Sequence, residues 1–175
     1  MIFIDESGFR LGSSPRYGWA PIGTQAPGKM VCGKWTQITM LGAIALDGVR
    51  GMMSIDAATS TDVFAAFIDQ VVGPALKPGD IVVMDNLSAH KAQPVRELIA
   101  AAGAHVLFLP PYSPEFNPIE KTWAKIKDFL RRCATLTRQA FDQAFAMAID
   151  SITPSDLAGW IDHAGYQAPV NLGAV

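Results

Sequence analysis

The sequence predicts an α/β fold, a mixed five-stranded sheet flanked by helices. Three features point there. Three strand-like segments precede the first helical one, strands and helices then alternate, and residues 81–84 (Ile-Val-Val-Met) form the unbroken apolar run of a strand covered on both faces. A chain of 175 residues can bury one core and is too short for two ordinary ones, so a single domain is expected over residues 1–165 with a short loose tail at 166–175.

Residues 2–5 read as the first strand, broken by Ser7-Gly8, which puts Asp5 at its end. Residues 10–34 are rich in Gly, Pro and Ser, with Tyr17 and Trp19 among them, and read as a long irregular excursion. Residues 37–46 and 52–56 are two strands joined at Asp47-Gly48, a dipeptide that favours a tight antiparallel turn. Ser60 or Thr61 can cap a helix to about residue 72, with Val63, Phe64, Phe67, Ile68 and Val71 at helical spacing, and Gly73-Pro74 ends it. The fourth strand, 81–84, is closed by Asp85-Asn86. A helix over 94–102 stops at Gly103, and a last strand over 106–109 ends at Pro110-Pro111. Asn117-Pro118 opens the best-signalled helix, to residue 132, with Asn as cap, Pro in the first position and Glu120 in the third. Two further helices are expected over 137–151 and 154–164.

Composition sets limits on function. Half the residues are hydrophobic and 17% are charged, a balance that argues against long disordered segments. The longest nearly apolar run, residues 38–46, is far below the roughly 18 to 20 residues of a membrane span. The start has no basic leader, so a cytoplasmic protein is expected. Cys32 and Cys133 lack CxxC spacing and read as reduced packing residues. A net charge of −2 does not by itself point to DNA, because phosphate neutralisation supplies most non-specific affinity.

The chemistry rests on acids. Side chains at the carboxyl ends of neighbouring strands converge on one crevice, and Asp5 and Asp85 are both placed for that, with Glu120 able to lean in from its helix. Three hard oxygen ligands without Cys or clustered His favour Mg²⁺ or Mn²⁺ over zinc, and two such ions serve in-line displacement at a phosphodiester. Each residue also has a plain structural reading. Asp5 and Asp85 can be turn residues, Glu120 can bond back to the Asn117 N–H as a capping box, and His90 can be a satisfied structural histidine or orient an aspartate. Glu6 alternates to the other face of its strand and is left out of the site. Along the Glu120 helix, Ile119, Trp123, Ile126 and Leu130 form an apolar stripe, while Ala124, Lys127 and Arg131 follow Glu120 down a neighbouring one. Lys127 and Arg131 are expected to touch DNA phosphates; the alternative is a solvated basic face with Lys121, Lys125 and Arg132.

The joint pattern resembles the DDE transposases of the insertion sequence 630 / mariner superfamily. The resemblance is carried by Phe3-Ile-Asp5-Glu-Ser-Gly8, by Gly18-Trp19-Ala-Pro21, by Met84-Asp85-Asn86-Leu-Ser-Ala-His90, and by residues 109–120, Leu-Pro-Pro-Tyr-Ser-Pro-Glu-Phe-Asn-Pro-Ile-Glu, extending through Trp123 and Lys127. Between Asp85 and Glu120 lie 34 residues, the spacing that names one major branch of that superfamily. The resemblance implies a ribonuclease-H-like fold, a site of two Mg²⁺ or Mn²⁺ ions held by Asp5, Asp85 and Glu120, hydrolysis at the element's end, and attack of the freed 3′-hydroxyl on target DNA at a TA dinucleotide.

Paired-end chemistry implies a homodimer on DNA. Members of the family also carry an upstream helix-turn-helix region that reads the inverted repeats, whereas here the first catalytic strand follows Met1. The expectation is a transposase divided between two reading frames, or a fragment, that lacks end-specific binding alone; either fits the mild acidity. A ribonuclease-H-like nuclease without strand transfer and a non-catalytic fragment that regulates an intact transposase are the alternatives.

Overall fold

The computed structural model describes residues 1–15, 18–27 and 36–166. Five strands, β1 (Ile2–Arg10), β2 (Gln37–Ala45), β3 (Gly48–Ile55), β4 (Ile81–Met84) and β5 (His105–Phe108), form one sheet in the order β3-β2-β1-β4-β5. The first three strands are antiparallel neighbours, and β4 and β5 add in parallel, so the sheet is mixed as expected. Five α-helices follow the strands in the predicted order: α1 (Thr61–Phe67), α2 (Gln93–Ala101), α3 (Ile119–Arg132), α4 (Arg138–Asp150) and α5 (Pro154–His163).

Strand alternation sorts the core into two layers. Ile2 and Ile4 of β1, with Leu41, Ala43, Val82 and Met84, pack against Phe64, Phe67, Val95 and Ile99 of α1 and α2. Phe3, Ile38, Met40, Ile44 and Val83 point the other way, onto Ile119, Trp123, Ile126 and Leu130 of α3 and onto the apolar faces of α4 and α5. By the same alternation Asp5 shares the α3 face with Phe3, and Glu6 goes to the opposite one. No helix among the described residues is long and apolar enough to cross a membrane.

Several local expectations are corrected. Ser7-Gly8 does not end β1: both residues pair with Met40 and Thr39, and the ladder runs from Ile2 opposite Ala45 to Arg10 opposite Gln37. A nine-residue partner strand overrides local turn propensity. The hairpin turns at Leu46-Asp47, one residue early, with Gly48 already paired to Ala45; Arg50 then holds the Asp47 carboxylate at 2.6 Å. Ser60 caps α1 by accepting from the Val63 N–H, yet the α-helix ends at Phe67 and continues as a π-helical turn over Ile68–Val72. Helix α2 and strand β5 each begin one residue before the expected start, with Gly103 between them at φ +72°, a backbone region that glycine enters freely.

The described residues between β1 and β2 hold neither helix nor strand, and Trp19 stands fully exposed there. The base of this excursion is tied by Leu11 N–H to Thr36 C=O at 3.0 Å. Tyr17, Cys32 and residues 167–175 lie outside the described residues; Tyr166, the first residue of the expected loose tail, is instead packed edge-on to Phe3 at 4.8 Å and donates its hydroxyl to the Phe116 carbonyl at 2.9 Å. Cys133 is a free, exposed thiol at the end of α3 rather than a packing residue.

Candidate active site

The parallel register of β1 and β4 pairs Ile2 with Val82 and Phe3 with Val83, and β4 ends at Met84. Strand β1 therefore outruns its neighbour. Asp5 sits just where that flank opens, and Asp85 is the first residue past the end of β4, on the same face. Glu120 enters from the first turn of α3. All three acids line one cleft of about 500 Å³ between the middle of β1, the end of β4 and the loop 109–117. Among the described residues they are not drawn into a tight metal-ligating cluster. Three carboxylates repel one another, and Glu120 is exposed on a helix end where its long side chain can swing.

The capping-box reading of Glu120 does not hold. Pro118, not Asn117, occupies the cap position of α3, so Glu120 falls in the second helical position, where a capping box cannot close. The Asn117 N–H is already donated to the Pro114 carbonyl at 2.9 Å, and the Asn117 side chain accepts from the Ile119 N–H at 3.4 Å. The Glu120 carboxylate is left to the cleft.

Asp5 is 8% exposed and lies mid-strand, which rules out a turn role. Its Oδ2 accepts from the indole Nε1 of Trp123 at 3.2 Å. Burial, then the nearby Glu120, and further the Asp85 charge push its pKa up to about 7, against the pull of the Glu6 N–H and of Trp123. This is a carboxyl in need of a positive partner.

Asp85 does serve as a turn residue, and more. Its Oδ1 accepts the Leu87 N–H at 3.0 Å and lies 2.5 Å from Nδ1 of His90. Partial burial opposes its ionisation, but the His90 imidazole against it, the Leu87 N–H and the Lys91 charge outweigh that and hold it below the ordinary value. With Oδ1 doubly engaged, Oδ2 is the oxygen free for the cleft. His90 is itself fully buried, its ring 4.1 Å from that of Phe64. The Asn86 side chain donates to the Leu109 carbonyl and joins the ends of β4 and β5 beside the site.

The donor set suits hard divalent cations. It consists of three carboxylates, of which one is buried and repelled by the other two, and one is held through Oδ1 by the Leu87 N–H and His90.

Lys127 is half-buried in the field of these acids, and its pKa is lowered overall: burial brings it down, Glu120 opposes that, Arg131 adds to it, and Asp5 opposes it last. The other cations of α3 have different duties. Lys125 is bound to Asp156 at 2.6 Å and to the Ser151 carbonyl at 2.7 Å, and Arg132 pairs with Asp128 at 2.5 Å. Neither Lys127 nor Arg131 lines the cleft itself; Lys127 lies within the field of Glu120 and Asp5, and Arg131 within that of Lys127.

Sequence reasoning assigned Trp123 only to the apolar stripe and passed over Gly42. Asp5 and Gly42 are direct partners across β1 and β2. A Cβ at Gly42 would lie 2.7 Å from Cη2 of Trp123, so the glycine makes the slot that lets the indole lie on the sheet. A lone glycine inside the apolar run 38–46 was the available signal, since a strand glycine often marks close approach. Lys91 and Tyr112, both lining the cleft, were also missed; Tyr112 is fully exposed at φ +57°.

The fold has solved counterparts. A Mos1 transposase paired-end complex with left transposon end superposes with a TM-score of 0.76 at 15% identity, covering 93% of this chain and 51% of that one. The Mos1 mariner paired-end complex with Mn gives 0.75 at 13% identity, covering 94% and 53%, and the Mos1 strand transfer complex gives 0.71 at 14%, covering 94% and 50%. These likenesses establish a ribonuclease-H-like fold. The chain spans about half the length of the transposase chains it matches. No curated protein sequence matches it. The family model described as DDE superfamily endonuclease matches residues 1–141, a span that contains Asp5, Asp85 and Glu120 as well as the paired strands and helix that position them, and the chain belongs to that family.

Proposed function

We propose that this chain is the catalytic domain of a DNA transposase, in which Asp5, Asp85 and Glu120 hold two divalent cations, Mg²⁺ or Mn²⁺, and DNA is cut at the element's ends and joined to a target. The observation that carries this reading is the meeting of the three acids in one cleft of a DDE-family fold. The Mn-bearing mariner complex and the strand transfer complex among the structural matches support the metal and the joining step.

When bound, such cations supply Lewis acidity to the attacking and leaving oxygens of a phosphodiester. The chain's own residues prepare the place. His90 and the Leu87 N–H fix Asp85 so that Oδ2 faces the cleft, and the Trp123 N–H holds Asp5. Glu120 closes on the site from the mobile end of its side chain. Lys127 and Arg131 continue from Glu120 along α3 and hold DNA phosphates, with Lys91 adding positive charge at the cleft wall. The net charge of −2 supports a grip on DNA shared with protein outside these residues. The paired-end complexes support two copies on DNA. The free thiol of Cys133 fits work in the reducing cytoplasm.

The test uses labelled transposon-end duplexes with Mg²⁺, and pre-cut ends offered together with target DNA. Nicked ends and joined products are expected from the wild-type chain supplied with its DNA-binding portion. Cleavage without joining would reduce the reading to a nuclease, and metal-independent cleavage would overturn it.

A further inference from the structure

Trp123 is 1% exposed, and its indole carries a single donor and no acceptor. That donor has one partner, the Asp5 carboxylate at 3.2 Å. A buried N–H left without an acceptor is costly, so the contact constrains both groups. The ring reaches Asp5 because the residue opposite Asp5 on β2 is glycine: a Cβ at Gly42 would sit 2.7 Å from Cη2, 3.0 Å from Cζ2 of Trp123, and 3.4 Å from Cδ1 of Ile119. Trp123 also stands three residues after Glu120, one helical turn along α3, so one rigid element carries both the third acid and the hydrogen bond to the first.

We propose that Trp123 is a positioning residue for metal binding: through its N–H, and through the slot at Gly42, it fixes which oxygen of Asp5 faces the cleft and sets Asp5 at a defined place relative to Glu120. This rests on the metal-site reading above and deepens it. An indole that merely filled the core would be replaceable by any ring of similar bulk. One that orients a ligand oxygen is not, because loss of a partner that orients a metal ligand costs about 10- to 100-fold in metal affinity.

The experiment measures Mn²⁺ binding to the full chain by electron paramagnetic resonance, with thermal unfolding of the metal-free protein in parallel. Trp123→Phe keeps an aromatic ring and removes the N–H. A folded variant whose Mn²⁺ affinity falls about 10- to 100-fold is expected. Gly42→Ala, which pushes on the indole, should weaken Mn²⁺ binding in the wild-type background and add little in the Trp123→Phe background, since both act through one contact. A folded Trp123→Phe variant that binds Mn²⁺ as the wild type does overturns the inference while leaving the metal site standing. A wild-type chain that binds no Mn²⁺ overturns the metal reading and this inference with it.

Should Trp123→Phe fail to fold, the wild-type protein carries the test through its ¹⁵N-labelled indoles, of which there are four. One indole N–H, identified by its displacement in Asp5→Asn, is expected to be protected from exchange and to move as Mg²⁺ is added. If none moves while Mg²⁺ binds, the inference is overturned.

Discussion

Nδ1 of His90 lies 2.5 Å from Oδ1 of Asp85, and the imidazole that makes this contact is fully buried against Phe64. Asp85 follows the last residue of β4, where nothing in the sheet would hold its side chain. The short 85–90 loop supplies the restraint: it brings His90 Nδ1 and the Leu87 N–H to the same carboxylate oxygen, Oδ1. His90→Phe keeps the ring packing and removes the Nδ1 contact with Asp85. The variant is expected to melt close to the wild-type temperature and to bind Mn²⁺ about 10- to 100-fold more weakly. Calorimetric titration beside a thermal melt checks both halves; unchanged affinity would make His90 a packing residue only.

Removing the acids tests the chemistry directly. Asp85→Ala and Glu120→Gln are expected to abolish Mg²⁺-dependent cleavage while leaving the circular dichroism spectrum of a folded chain; Glu120→Gln, at an exposed position, should also leave the unfolding transition intact, whereas Asp85→Ala loses the partner of the Leu87 N–H and of His90 and should melt somewhat lower. Residual metal-dependent cleavage by either variant would remove that residue from the mechanism.

The raised pKa of Asp5 has a consequence for stability. In the folded, metal-free chain it keeps its proton up to about pH 7, whereas unfolded it loses the proton near 3.8. Between those values the unfolded state binds fewer protons, so stability falls as pH rises from about 4 to 7, stays reduced above that, and is unaffected below. At ~1.4 kcal/mol per unit the cost approaches about 4 kcal/mol as a ceiling. Asp5→Asn is therefore expected to melt higher than the wild type at pH 8 without metal, by on the order of 5 °C, and to lose that advantage near pH 4. Mg²⁺ should raise the melting temperature of the wild type at pH 8 and not that of the variant. A variant less stable than the wild type at pH 8 would contradict the electrostatic account.

Lys127 and Arg131 should act through DNA phosphates. Replacing both with Ala is expected to weaken DNA binding across sequences and to flatten its salt dependence, each lost phosphate contact taking about 0.9 from the log-log slope. Fluorescence anisotropy from low to moderate salt measures this. An unchanged slope would assign the pair to a solvated face.

Beside its apolar packing, helix α5 is tied to α3 by one carboxylate. Asp156 accepts from Lys125 at 2.6 Å and closes the capping box with Thr153. Led by the Lys125 hydrogen bond and then the Thr153 N–H, these contacts bring its pKa down to about 2, so its contribution is present above pH 4 and is lost as pH falls toward 2. Asp156→Ala is expected to cost about 1 to 2 kcal/mol at neutral pH in denaturant unfolding, with Mn²⁺ affinity unchanged. An affinity loss would mean that the α5 contact reaches the site.

What could be read in the sequence was whatever depends on chain-local pattern. The apolar run before Asp85, the Ser60 cap, and the Asn117-Pro118 signal near the start of α3 each state their structure within a few residues. The mixed sheet followed from their order. What could not be read depends on partners distant in the chain. Ser7-Gly8 looks like a stop until Met40 and Thr39 pair with it. Trp123 looks like core until Asp5, 118 residues away, accepts its N–H, and Gly42 looks like a weak strand residue until the indole lies across it. The capping-box reading failed by a single residue, because Pro118 took the cap itself.

The central claim is that Asp5, Asp85 and Glu120 share a pair of cations, and a crystal structure with Mn²⁺ and a transposon-end duplex tests it most directly through anomalous scattering. Two peaks about 3.5 to 4 Å apart are expected in the cleft lined by Asp5, Asp85 and Glu120, with carboxylate oxygens of all three acids among their ligands. Peaks elsewhere, or none at saturating Mn²⁺ with Glu120 turned out to solvent, would contradict the account.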